Sequence, residues 1–140
     1  MSVQMVLLPV FVLVGLAFAL LLGMAAGRSR AFKTRETSYK EVASGEAKWP
    51  ARTAQIGDCF SNQFEVPVLF YVLIALALPL RHADLFIVLM SWVFVLTRFF
   101  HAGIFVTSNN IQQRGTVWFA GVLVLLAMWI YFALKILLLI

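Results

Sequence analysis

The sequence predicts an all-α integral membrane protein, a bundle of four transmembrane helices, on three observations. The chain of 140 residues is 63% hydrophobic and only 12% charged. Its apolar residues fall into four long stretches, each near the roughly 20 residues that cross a bilayer core of about 30 Å. These stretches lack the strict apolar–polar alternation of a transmembrane β-barrel. Backbone groups inside a membrane must be paired, so each stretch is expected to be a helix.

The four predicted helices occupy about residues 3–26, 59–80, 85–107 and 116–140. No positive residue precedes the first apolar stretch, which is also too long for a signal peptide, so we expect it to be retained. The connection between the second and third helices is very short, which predicts an antiparallel hairpin. The turn-forming residues 107–110 end the third helix. We therefore expect one compact domain over residues 1–140, with Pro67 and Pro79 kinking or ending the second helix.

The connection between the first two helices, residues 27–57, is polar and basic. It holds seven of the eleven Lys and Arg residues, and a short surface helix is expected around residues 37–47. The positive-inside rule places this loop in the cytoplasm and both termini on the opposite side. The formal net charge of +5 is thus a topology signal, and we expect no nucleic-acid partner. The loop would attract anionic lipid headgroups, with a substrate-binding role as the alternative.

The single cysteine, Cys59, excludes an intrachain disulfide and any multi-cysteine metal site. We expect it to pack as a small apolar residue, with a reactive thiol at a helix start as the alternative. The two histidines, His82 and His101, belong to opposite membrane faces, so no metal site is predicted. The chain has no nucleotide-binding loop, serine-hydrolase elbow or zincin helix.

Polar residues lie inside two of the apolar stretches. Glu65 is expected roughly 10 Å deep from the loop side and Arg98 roughly 13 Å deep, counted at about 1.5 Å per residue. Asn62 shares a helix face with Glu65, and His101 shares one with Arg98. Ionisable groups at membrane depth are functional candidates. A purely structural reading stays open, in which a buried Glu65–Arg98 ion pair sets the helix register.

Further cations are expected around this cluster. Arg114 opens the fourth helix, and Arg28 and Arg30 end the first. Several cations around a small group of acceptors suit an anionic ligand that enters from the cytoplasm. A proton or ion pathway through Glu65 and His101 is a further alternative.

The order Asn62-x-x-Glu65, Arg98-x-x-His101 and then Arg114 resembles the family of membrane-associated proteins in eicosanoid and glutathione metabolism (MAPEG). The resemblance covers nearly the whole chain, including the four helices and the long basic first loop. It implies a homotrimer that holds glutathione between neighbouring subunits near the cytoplasmic face. It also implies a glutathione-dependent transferase or peroxidase that acts on lipophilic electrophiles or lipid hydroperoxides arriving from the bilayer.

The resemblance also implies roles for single residues. Arg114 is similar in position to the arginine that stabilises the glutathione thiolate, and so would be catalytic. The residues implied to bind glutathione are Asn62, Glu65, Arg98, His101, and Arg28 or Arg30.

The sequence departs from this pattern at a few positions. Asp58 and Ser61 stand where active members usually carry arginines, and Phe105 and Trp118 stand at tyrosine positions. The lost cations predict weaker binding of the glutathione carboxylates. The alternative function is a non-catalytic, family-like membrane scaffold or lipid-binding protein. Membrane lipids and a lipophilic substrate are the expected partners, in a bacterial inner (cell) membrane.

Overall fold

The computed structural model describes residues 2–139, and over this range helices are the only regular structure. The helices are α1 (Val3–Lys33), α2 (Tyr39–Ser44), α3 (Ala51–Asn62), α4 (Val66–Ala77), α5 (Leu85–Val106) and α6 (Ile111–Leu138). Four segments are long and apolar enough to cross a membrane: α1, α3 together with α4, α5, and α6. The predicted all-α bundle with four membrane spans is therefore confirmed. The predicted last residue of the fourth span, Ile140, lies outside the described residues.

The helices at the loop side extend beyond the apolar stretches. α1 runs to Lys33 instead of ending near residue 26, and α3 begins at Ala51 instead of residue 59. Basic residues are good helix formers and are favourable near a helix C-terminus, so α1 continues into its charged segment. Pro50 stands directly before the first turn of α3, where the missing N–H of a proline has little effect. The expected surface helix is α2, which Ser38 caps.

The second span is broken at residues 63–65, between α3 and α4. Pro67 has no N–H and cannot donate to the carbonyl of Gln63, so a continuous helix would lose this bond. α4 ends at Ala77, two residues before Pro79. Both prolines therefore act as the sequence predicts, and the break leaves Glu65 outside any helix.

Two apolar clusters hold the bundle together. The larger cluster joins α1, α4, α5 and α6 and includes Leu13, Phe70, Phe94 and Met128, which are fully buried. The smaller one joins α1, α3 and α5 near the loop side, and its members are Leu20, Cys59, Ala102 and Phe105.

At the opposite face, Asp84 fastens the α4–α5 connection to the end of α6. Its carboxylate accepts a hydrogen bond from the N–H of Ile87 (3.2 Å) and forms an ion pair with Lys135 (2.6 Å). The Tyr131 hydroxyl donates to the same carboxylate. Burial disfavours ionisation of Asp84, but the bonds from Lys135, Tyr131 and Ile87 outweigh it and hold its pKa below the usual value. The hairpin is thus tied to the fourth span at this face.

Candidate functional site

Arg98 lies in the interior of the bundle, between α5 and α6. Its side chain is fully buried, and its Nη2 donates to the backbone carbonyls of Trp118 (3.1 Å) and Val117 (3.4 Å). The guanidinium reaches these carbonyls because it lies against Gly121, where any Cβ would collide with it. Its Nε and Nη1 have no hydrogen-bond partner among residues 2–139. Arg98 therefore fastens α5 to the backbone of α6.

The ion pair considered between Glu65 and Arg98 does not form, so this part of the sequence interpretation is wrong. Within residues 2–139 the one ion pair is that of Lys135 with Asp84. Glu65 is exposed, whereas Arg98 has no exposed surface. The break at residues 63–65 moves Glu65 off the helix on which its direction was predicted, and the carbonyls of α6 take its place beside Arg98.

His101, Phe105 and Arg114 form a continuous group at the loop side of α5 and α6. His101 is 2% exposed, and its ring meets the Phe105 ring edge-on with the ring centres 5.7 Å apart. The guanidinium of the half-buried Arg114 lies 4.2 Å from the centre of the same Phe105 ring. Arg114 Nη1 also donates to Asn109 Oδ1 (2.5 Å). The arginine is therefore held by an aromatic face and an amide, and not by a carboxylate.

The start of α6 is fixed by its own cap. The side chain of Asn110 accepts a hydrogen bond from the N–H of Gln113 at 3.1 Å. Asn109 adopts a positive φ of 51°, which asparagine tolerates better than most residues. This short turn brings Arg114 back over Phe105, near the last turn of α5.

Asn62 and Glu65 are brought together as the sequence predicts. Asn62 Nδ2 donates to Glu65 Oε2 at 3.3 Å. The buried Oδ1 of the half-buried Asn62 has no hydrogen-bond partner in the described part of the chain. No hydrogen bond or ion pair within residues 2–139 joins this pair to His101 or Arg114. The two predicted pairs are thus present but separate in a single protomer.

Gln63 is a buried polar residue that the sequence interpretation missed. It is 1% exposed, and its Nε2 donates to the Cys59 carbonyl at 3.3 Å. This carbonyl is free because the N–H of Gln63 bonds to Phe60 instead. The one sequence feature that could have indicated its role is its position four residues before Pro67. Cys59 itself is fully buried in an apolar cluster, as expected.

Cys59 and His101 lie in the electrostatic field of the arginines at the loop side of the bundle. The positive charges of Arg98 and Arg114 act on both Cys59 and His101. The neighbourhood is therefore electropositive, with no carboxylate paired to either arginine within the described range.

Arg28 and Arg30 take different directions at the end of α1. Arg28 is half-buried, lies 4.8 Å from the ring centre of Trp49, and has an unpartnered, buried Nε. Its Nη2 is 3.7 Å from the point that a Cβ would occupy at Gly57 on α3. Arg30 is exposed and lines a cleft between α1 and α3. Only Arg28 thus faces the half of α3 that leads to Asn62.

The residues that depart from the expected pattern occupy distinct environments. Asp58 and Ser61 are exposed, and Trp118 is half-buried. Phe105 is buried beneath Arg114, where a tyrosine would add a hydroxyl. Nearby, a cavity of about 330 Å³ is lined by Ile104, Gln112, Gln113, Thr116 and Val117. Neither His101 nor Arg114 lines it.

Among the described residues no group of three His, Cys, Asp or Glu side chains could hold a metal ion. A family model described as the MAPEG family matches residues 6–134 of the chain. The comparisons with curated proteins and with solved structures found no match.

Proposed function

Because the chain belongs to the MAPEG family, we propose that it is a glutathione-dependent transferase or peroxidase. Its substrates are lipophilic electrophiles or lipid hydroperoxides that reach it from the bilayer. The functional unit is a homotrimer with glutathione bound between neighbouring subunits, and Arg114 is the catalytic residue. The basic segment between Arg28 and Arg52 supports a cytoplasmic loop side in a bacterial cell membrane, with both termini outside.

The contacts of the Arg114 side chain are the main support for this proposal. A guanidinium has five N–H donors, and Asn109 takes only one of them. The Phe105 ring fixes the plane of the group without neutralising its charge. Such a cation stabilises an ionised thiol, which is the nucleophilic form. A half-buried arginine with no carboxylate partner is what this chemistry needs.

The unpartnered polar atoms of the site suit the groups of glutathione. The exposed carboxylate of Glu65 matches an ammonium group, and Asn62, whose Nδ2 donates to this carboxylate, holds it in place. Arg28 is the cation that we assign to a carboxylate, since Asp58 and Ser61 supply none. The buried Nδ1 of His101 is a further polar atom without a hydrogen-bond partner within residues 2–139.

Two features of the protomer support a site completed by a second copy. The Asn62–Glu65 pair and the His101–Arg114 group have no direct bond to each other, and Glu65 is exposed. A carboxylate exposed at membrane depth is costly unless a neighbour covers it. Arg98 is fully buried and bonded to α6, so we assign it to positioning α5 and α6 instead of contacting glutathione.

Bound glutathione would supply a thiolate that forms a bond to an electrophilic carbon and displaces its leaving group. With a hydroperoxide, two glutathione molecules would be oxidised to the disulfide while the hydroperoxide is reduced to an alcohol and water. The chain contributes binding, orientation and the charge that keeps the thiol ionised.

Conjugation of a lipophilic aryl chloride by purified protein in detergent tests the proposal. We expect glutathione-dependent turnover and thermal stabilisation by glutathione in the wild type. Arg114→Ala should lower turnover by about 10²-fold or more, the scale of losing one electrostatic catalytic group. Lys40→Ala removes an exposed cation from α2 and serves as the control. Unchanged conjugation in Arg114→Ala would refute the assigned role.

A non-catalytic scaffold is the second candidate, favoured by the purely structural bonding of Arg98. In that case Glu65→Gln should weaken the oligomer, and no thiol ligand should raise the melting temperature. Because both candidates are oligomers, the melting temperature of the wild type with and without glutathione separates them.

A further inference from the structure

A cleft of about 380 Å³ lies between the end of α1 and the start of α3. Its inner part is lined by small or apolar residues that include Gly23, Ala26 and Ile56. Its outer part is lined by Arg30, Arg52 and Glu36. Because Gly23 precedes Arg30 by about two helical turns, the apolar part lies deeper along the membrane span. The cleft is therefore polar at its mouth and apolar towards the bilayer.

The three charged side chains at the mouth are not paired with one another. The ion pair of Lys135 with Asp84, at the other face, is the one found within residues 2–139. Arg30 and Glu36 are exposed, as is Arg52. Two cations and one anion, none with an ion-pair partner among the described residues, therefore share one cleft.

The start of α3, which forms one wall of the cleft, adds backbone N–H donors that have no acceptor within the helix. No side chain caps α3, and its first intrahelical backbone bond is made by the N–H of Ala54. The N–H groups of residues 51–53 are therefore free to bind an anion. Thr53 lines the cleft at 7% exposure, and its hydroxyl faces Gly27 so closely that no Cβ would fit there. This hydroxyl makes no hydrogen bond within the described residues.

We propose that this cleft binds one membrane phospholipid that carries both a phosphodiester and a primary ammonium, as phosphatidylethanolamine does. Arg30, Arg52 and the first turn of α3 hold the phosphate, since guanidinium groups and helix N-termini both favour phosphate oxygens. Glu36 accepts from the ammonium. The small residues of α1 receive the glycerol and the first part of an acyl chain.

The size and polarity of the cleft favour a lipid over a free anion. At about 30 Å³ per water, the cleft holds roughly a dozen waters, which suits a headgroup and glycerol. The acyl chains would continue into the bilayer. A free phosphate would leave the apolar part uncovered, and a headgroup without an ammonium would leave Glu36 unpaired.

Native mass spectrometry of the full-length protein, with titrated lipids, tests this site. Phosphatidylethanolamine should bind about tenfold more tightly than phosphatidylcholine or phosphatidylglycerol. Arg52→Gln should lose about tenfold in affinity, and Arg52→Lys less, because it keeps the charge but not the paired donors. Glu36→Gln should remove the preference for phosphatidylethanolamine over phosphatidylglycerol. Lys40→Gln, an exposed cation outside the cleft, should change nothing.

Two outcomes would overturn the proposal. Equal binding of the three lipids would mean that they are ordinary annular lipids and that the cleft is not a specific site. Equally effective competition by inorganic phosphate, or by glycerophosphoethanolamine without acyl chains, would mean a site for soluble anions. Circular dichroism of each variant checks that it is folded. The result is independent of catalysis, because Arg114→Ala should keep the lipid preference even if glutathione proves not to bind.

Discussion

Substitution of Gly121 by alanine tests the junction of α5 and α6 directly. A Cβ at this position would overlap Arg98 Nη2, and would lie 2.7 Å from Thr97 Oγ1 and 2.9 Å from Arg98 Cζ. A flexible side chain could move away, but this guanidinium is fully buried and bonded to two carbonyls of α6. Either α6 must shift or Arg98 must give up its bonds.

The expected change in the free energy of unfolding is the balance of two costs and one gain. Over-packing a dense core costs about 1–3 kcal/mol. Losing a hydrogen bond to a charged group costs about 1.5–3 kcal/mol. Replacing a helical glycine by alanine returns about 1 kcal/mol through helix propensity. We therefore expect Gly121→Ala to destabilise the protein by about 1.5–5 kcal/mol.

Equilibrium unfolding by SDS in mixed micelles, followed by tryptophan fluorescence, measures this change. Gly115→Ala is the matched control on the same helix, since nothing lies within 4 Å of its Cβ position. It should be neutral or stabilising by up to about 1 kcal/mol. In an Arg98→Met background the cost of Gly121→Ala should shrink, giving a coupling energy in a double-mutant cycle. The packing argument would be refuted if Gly121→Ala were as stable as the wild type. It would also be refuted if the substitution cost as much in the Arg98→Met background as in the wild type.

Two further predictions concern the caps of α5 and α6. Asp84→Asn keeps the cap of α5 but removes the ion pair with Lys135, so it should lower stability slightly at neutral pH. Because the folded-state pKa of Asp84 is lowered, its contribution is present above the unfolded value near 3.9 and is lost as the pH falls through the folded value. Unfolding curves of the two proteins should therefore differ at pH 7 and converge in acid, and a difference that grows in acid would contradict this. Asn110→Ala removes the side-chain cap that accepts from Gln113 and should cost about 0.5–2 kcal/mol, measured by the same unfolding assay. Ser108→Ala, in the preceding turn, should cost much less, and equal losses in the two variants would argue against the cap.

The membrane spans could be predicted because hydrophobicity alone determines which segments cross a bilayer. The ends of the helices could not, because charged helix formers carry α1 beyond its apolar part, and α3 begins directly after Pro50, well before its apolar part. The break near Pro67 was predictable from the missing N–H, but its consequence for the direction of Glu65 was not.

The contacts of the site were harder to predict than its residues. Counting residues along a helix gives the depth of Glu65 and Arg98 but not the direction of their side chains. The missing Cβ of Gly121 allows Arg98 to reach the carbonyls of α6. Nothing in the sequence indicates that this glycine contacts an arginine 23 residues earlier. Arg28 and Arg30 are two residues apart on α1, yet they lie at different parts of the α1–α3 junction: Arg28 near Gly57 and Arg30 at the cleft.

Direct observation of the ionised thiol is the most direct test of the proposed chemistry. Bound glutathione should show the ultraviolet absorbance of a thiolate at a pH at which free glutathione is protonated. Arg114→Met should abolish this absorbance, whereas Lys40→Met should leave it unchanged. Absence of the thiolate signal in the wild type, or the same signal in Arg114→Met, would contradict the role of Arg114.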